Sequence, residues 1–186
     1  MHPRQSAFTL AELLVTLAIV AAVTVAAVPV LAGITARNRM ATDLNRLTGS
    51  LHAARREAIT TGLGTVVCPG HPTTGCRDDG HWEQGWLAFQ DPERRRNCVD
   101  ADRDERCDAG AGRIVQVAGA IADAGLTLRA SGNPSDYVRY RPTGLASGYA
   151  GTFVLCDTTD NAPSHGITLS MVGRIRKRPP GTLSCD

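Results

Sequence analysis

The chain has 186 residues, which fits one globular domain plus an N-terminal helix, and the part beyond residue 62 can bury only a modest core. With 20 Lys and Arg against 18 Asp and Glu, the formal charge of +2 rules out bulk charge as a guide to partners. Its distribution is more telling: ten of the eighteen acids lie between Asp78 and Asp108, whereas Arg174, Arg176, Lys177 and Arg178 form a run with no acid nearby.

The chain opens with a short polar leader, residues 1–7, whose Arg4 would stay on the cytoplasmic side of a membrane. Residues 8–31 follow as an apolar run long enough to cross a bilayer at about 20 residues per span. One acid, Glu12, is stranded in it, and a carboxylate at that depth costs several kcal/mol unless it neutralises or finds a partner. An ordinary secretory signal does not read this way, because the small residue Ala7 precedes the apolar stretch instead of following it.

The order Ala7, Phe8, Glu12 and Pro29 resembles the class III leader of type IV pilins and type II secretion pseudopilins. The resemblance implies that a prepilin peptidase cuts between Ala7 and Phe8 and methylates the new N-terminus. Glu12 and Pro29 would then serve subunit assembly, and the inner membrane would hold the subunit beforehand. The family usually has Gly before the cut, where this chain has Ala7. The physics is consistent: a free α-amino group on Phe8 is a cation at neutral pH that Glu12 of a neighbouring subunit could pair with in lipid or a filament core. A plain single-span anchor is the alternative.

Apolar residues continue at helical spacing through Met40, Leu44, Leu47, Leu51, Ala54 and Ala58, with Arg39, Asp43, Arg46, Arg55 and Glu57 on the other face. One helix over residues 8–61 is predicted, with an amphipathic continuation in 32–62 and Gly62 as its stop. Beyond Gly64 the pattern changes to short strands broken by Gly, Pro and Asp: 65–68, 85–90, 113–117, 126–129, 137–141, 152–156, 166–171 and 174–178. Residues 63–186 therefore read as a β-rich domain, and the whole chain as α+β with antiparallel sheet. Residues 91–112 read as a surface loop.

Six cysteines, Cys68, Cys76, Cys98, Cys107, Cys156 and Cys185, all follow the apolar run and so fall on its exported side, where an even count reads as disulfides. Proximity favours 68 with 76 and 98 with 107, leaving 156 and 185 to close the C-terminal region. A zinc set of Cys68, His71, Cys76 and His81 competes at the first pair, without a familiar spacing.

A second resemblance lies in the domain. Arg56-Glu57-Ala58-Ile59, Val67-Cys68-Pro69, Cys76, Trp82 and the run from Gly85 to Asp91 follow the order of features in the GspH/FimT family of minor pilins and pseudopilins. Gly173-Arg174-Ile175-Arg176 matches the GRxR motif of DNA-binding members. The resemblance implies a pilin-like fold, other pilins or pseudopilins as partners, a globular domain first in the periplasm and then on an extracellular pilus, and DNA binding during natural transformation. A GspH-like pseudopilin with a purely structural role in a secretion machine is the rival.

On physical grounds, an extended 174–178 puts Arg174, Arg176 and Arg178 on one face about 6.6 Å apart, near the phosphate spacing of a nucleic-acid strand. Lys177, Arg139 and Arg141 would contribute more weakly. A charged edge strand that blocks sheet-to-sheet aggregation gives the same sequence. Residues 100–108 begin like a calcium loop but carry Glu105 at the turn position that needs Gly and Ala111 where the bidentate Glu belongs. Trp82, Trp86 and Phe89 read as core. No nucleophile, zinc-protease or phosphate-loop motif appears, so catalysis has no support and no cofactor is implied.

Overall fold

The computed structural model describes residues 9–110, 112–159 and 162–185, without the side chains of residues 25–32. Helix α1 runs Leu10–Thr61, 52 residues and roughly 80 Å at 1.5 Å per residue. It starts at Thr9, whose side chain accepts a hydrogen bond from the Glu12 amide at 3.2 Å, and stops at Gly62 with φ +69° in the left-handed region. Ala7 and Phe8 lie outside the described residues. The helix continues through Pro29.

Among the described residues, nine strands form two antiparallel sheets. The first holds β1 (Thr65–His71), β2 (Gly75–Cys76), β3 (Gly85–Gln90) and β4 (Ile114–Gly119) in the order β2-β1-β3-β4, with β6 (Val138–Tyr140) pairing β1 as well. The second has β5 (Leu126–Gly132), β7 (Gly151–Asp157), β8 (His165–Leu169) and β9 (Ile175–Arg178) in the order β5-β7-β8-β9. The α+β architecture is the predicted one. Sequence patterning missed β2 and the 3-10 turn Trp82–Gln84, both too short to carry a period.

The predicted stripe of α1 is the spine of the core. Met40, Leu47, Leu51, Ala54 and Ala58 are fully buried and Leu44 nearly so, packed with Val67, Trp82, Trp86, Leu128, Phe153, Leu155, Ile167 and Leu169. The helix touches β1, β3, β4 and β6 of one sheet and β8 of the other, so it bridges both. Trp82 meets Phe153 edge to face at 5.0 Å, and the Trp86 indole donates to the buried Ser50 hydroxyl at 2.9 Å.

The other face of the first sheet carries a smaller core of Val66, Cys68, Leu87, Phe89, Cys98 and Cys107. Residues 91–110 cover it, so the segment is more than the surface loop that the sequence implies: Asp91, Cys98 and Asp100 are buried. Disulfides join Cys68–Cys76, Cys98–Cys107 and Cys156–Cys185, the pairing that proximity favours. The third returns the C-terminal tail to β7.

Candidate nucleic-acid interface

Arg176, Lys177 and Arg178 of the basic run lie in β9, an edge strand beside β8, and Arg174 immediately precedes it. Register places Arg176 opposite Thr168 and Arg178 opposite Gly166, while Ile175 and Lys177 face Leu169 and Ile167. Leu169 and Ile167 are core residues and Ile175 packs against the core, so Arg176 and Arg178 point to the opposite, outer face. Arg174, Arg176, Lys177 and Arg178 are all exposed, and none forms an ion pair among the described residues.

The turn that delivers this row is built for close packing. Gly173 is buried at φ +75°, and a Cβ there would lie 2.4 Å from the Gly144 carbonyl oxygen, so only glycine fits. Arg55, from the buried half of α1, donates from Nε to Gly144 O at 3.0 Å and from Nη2 to Val172 O at 3.1 Å. It clamps two turns at once. Sequence reading placed Arg55 only on the polar face, because its partners are 89 and 117 residues away.

Arg139, expected as a weaker DNA contributor, is engaged elsewhere: its guanidinium pairs with the buried carboxylate of Asp91 and donates to Asp91 O at 2.7 Å. Its side chain is only 15% exposed, which removes it from a surface row. Arg141 is exposed at the start of the turn that reaches Gly144. It lines a groove of about 660 Å³ together with Arg94, Arg96, Arg139, Tyr137 and Tyr149, and none of the groove's lining residues is acidic. Burial raises the Tyr137 hydroxyl pKa, but hydrogen bonds with Tyr149 and Arg96 outweigh this and bring it below the usual tyrosine value. Burial and the same contact push Tyr149 up to about 12.

The zinc set does not converge: Cys68 and Cys76 are bonded to each other, His71 Nδ1 bonds Thr73 at 2.9 Å, and His81 Nδ1 bonds Glu83 at 2.9 Å. Asp100, Asp102 and Asp108 bring their carboxylates within 4.8 Å of one another. Those oxygens accept loop amides: Asp100 from Asp104 and Glu105, Asp102 from Asp104, and Asp108 from Ala101.

Over residues 10–24 every side chain of α1 is exposed, Leu10 by 76% and Val20 by 61%, so this half has no packing partner among the described residues. Among the described residues no helix is long and apolar enough to cross a membrane. Glu12 lies in the first turn, where its charge also complements the helix dipole.

A long helix that is bare at one end and packed at the other across antiparallel sheets defines a pilin-type subunit. Residues 43–173 match the Type II transport protein GspH family, and residues 2–28 match the prokaryotic N-terminal methylation motif. The chain belongs to the GspH family, as a minor pilin or pseudopilin. Its fold is similar to that of the type IV minor pilin FimU of Pseudomonas aeruginosa, at 18% identity and TM-score 0.55 over 78% of this chain and 92% of that one. The minor pseudopilin EpsH from the Type 2 Secretion System of Vibrio cholerae aligns at 14% identity and TM-score 0.48, over 77% and 98% of the two chains. No curated protein matches in sequence. Family and fold are those of structural subunits.

Proposed function

We propose that this subunit is a minor type IV pilin that binds extracellular DNA through β9 for uptake in natural transformation. In this reading residues 1–7 are removed by cleavage between Ala7 and Phe8, residues 8–31 hold the subunit in the inner membrane as a single span, and Glu12 and Pro29 then serve packing into the pilus. Residues 32–62 join that anchor to the β-rich domain, 63–186, in the periplasm and later outside the cell. The exposed apolar half of α1 supports assembly with other pilins, because so much bare apolar surface needs lipid or like helices around it.

The observation that carries DNA binding is the exposed row Arg174, Arg176 and Arg178, with Lys177 at its flank, which forms no ion pair among the described residues and lies on and just before the edge strand β9. Contacts to phosphate are independent of base sequence, and three of them give log affinity a slope of about −2 to −3 against log salt. The test is a gel shift with the full chain in nonionic detergent. Arg174→Gln with Arg176→Gln should weaken binding to all sequences alike and flatten the slope by about two contacts' worth. Unchanged affinity and slope would favour the second reading, a structural pseudopilin. That reading is supported by the same observation, since charges on an open sheet edge also deter edge pairing.

A further inference from the structure

The groove beside Arg141 holds chemistry that the β9 row does not use. It lies where α1 ends, between Gly62–Gly64, residues 92–96, β6 and the turn through Ser147 and Tyr149. Asp91 neutralises Arg139 at its floor, and no partner neutralises Arg94 or Arg141 among the described residues. Arg96 lies 5.4 Å over the Tyr137 ring and donates to its hydroxyl at 3.3 Å, so it too keeps its charge without a counter-ion there.

The backbone is forced to present this cluster. Arg94 and Arg96 sit at φ +58° and +60°, left-handed values that side-chain-bearing residues disfavour. The buried Asp91 carboxylate holds them there, accepting from the amides of Arg95 at 2.7 Å and Arg96 at 3.2 Å. Arg95, between them, does not line the groove and pairs with Glu93 at 2.6 Å. Two strained residues that aim like charges into one concavity point to a ligand of opposite charge. The end of α1 opposes an anion with about half an elementary charge, which three guanidiniums outweigh.

Planar guanidiniums select phosphate by paired hydrogen bonds, and the Tyr137 hydroxyl, which accepts from Tyr149 at 2.8 Å, adds a donor beside them. The groove also adjoins the β9 row: its Arg141 opens the turn that ends at Gly144, and Gly144 packs on Gly173, next to Arg174. We infer that the groove is a second phosphodiester-binding station, through which the nucleic-acid strand held by β9 continues past the end of α1. The inference rests on the DNA reading proposed above.

The experiment measures salt dependence with the full chain in nonionic detergent, using labelled oligothymidylate and a labelled duplex of equal length. Three double variants are compared: Arg94→Gln with Arg96→Gln for the groove, Arg174→Gln with Arg176→Gln for the row, and Arg103→Gln with Arg106→Gln as an equal charge loss in exposed residues outside the groove. The groove pair should flatten the slope by about 1.4 to 1.8, equivalent to roughly a tenfold smaller loss of affinity over a fourfold rise in salt, with the control pair unchanged. Groove and control pairs that behave alike, while the row pair loses binding, overturn the station and leave the DNA reading standing. A wild-type chain that binds neither probe at low salt overturns both. Circular dichroism of the groove pair should match wild type, because both side chains are exposed and Asp91 stays in place.

Discussion

The two halves of α1 belong to one continuous helix and meet opposite surroundings. Residues 10–24 are exposed on every side, while Met40, Leu47, Leu51, Ala54 and Ala58 have no exposed surface. The difference lies in patterning: the first half is apolar all round except for Glu12 and two threonines, and the second carries a single apolar stripe with charges opposite. An all-round apolar helix needs an apolar surrounding on all sides, which one subunit cannot supply. A striped helix needs only a sheet. One continuous helix thus serves as its own domain's spine and as the handle by which other subunits or lipid hold it.

That contrast breaks first under truncation. Leu47→Ala should cost about 2–5 kcal/mol of domain stability, because it opens a cavity in the shared core, whereas Leu17→Ala should change it by less than about 0.5 kcal/mol. Urea unfolding of the full chain in detergent, followed by tryptophan emission from Trp82 and Trp86, measures both. Equal losses would mean that the halves are not energetically separate. Glu12→Gln should leave that unfolding midpoint in place and abolish recovery of the subunit in sheared filaments, the reverse of the Leu47 outcome. A smaller effect is expected at Arg55, which joins the packed half to the turn before β9. Arg55→Met keeps much of the stem and loses two donors to carbonyls, so it should cost about 1–2 kcal/mol and raise hydrogen exchange at Gly144 and Gly173.

The helix, its stop at Gly62 and the buried stripe were legible because their periods are local. So was the sheet domain, since Gly, Pro and Asp punctuate its strands. The groove was not legible: Arg94 and Arg96 are brought to Tyr137 and Tyr149 only when β6 pairs with β1, across more than 40 residues. Arg139 was misread for a related reason. Its charge is plain in the sequence, but its partner Asp91 lies 48 residues away, and pairing turned a surface cation into an internal tie. The Thr9 cap with Glu12 three residues on was legible as an S/T-x-x-E start and was overlooked beside the membrane reading of Glu12.

The smallest predicted effect tests the boundary between the halves. His165 opens β8, its Nε2 is buried without a hydrogen-bond partner among the described residues, and burial, aided by the Arg37 charge at the start of the packed half, holds its pKa below the ordinary value. A histidine depressed in the fold is neutral there and binds protons more readily when unfolded. Its contribution is therefore complete above the ordinary value of about 6.5 and is lost as pH falls through the folded value. The melting temperature of the full chain should drop between about pH 7.5 and about pH 5, and His165→Gln should shrink the part of that drop due to this ring. Arg37→Gln should shrink it less, because burial is the larger cause. If protonation at β8 loosens the packed half of α1, hydrogen exchange at acid pH should rise near Arg37 before it rises at Leu51. A drop that persists unchanged in His165→Gln would assign the acid sensitivity to groups other than this ring.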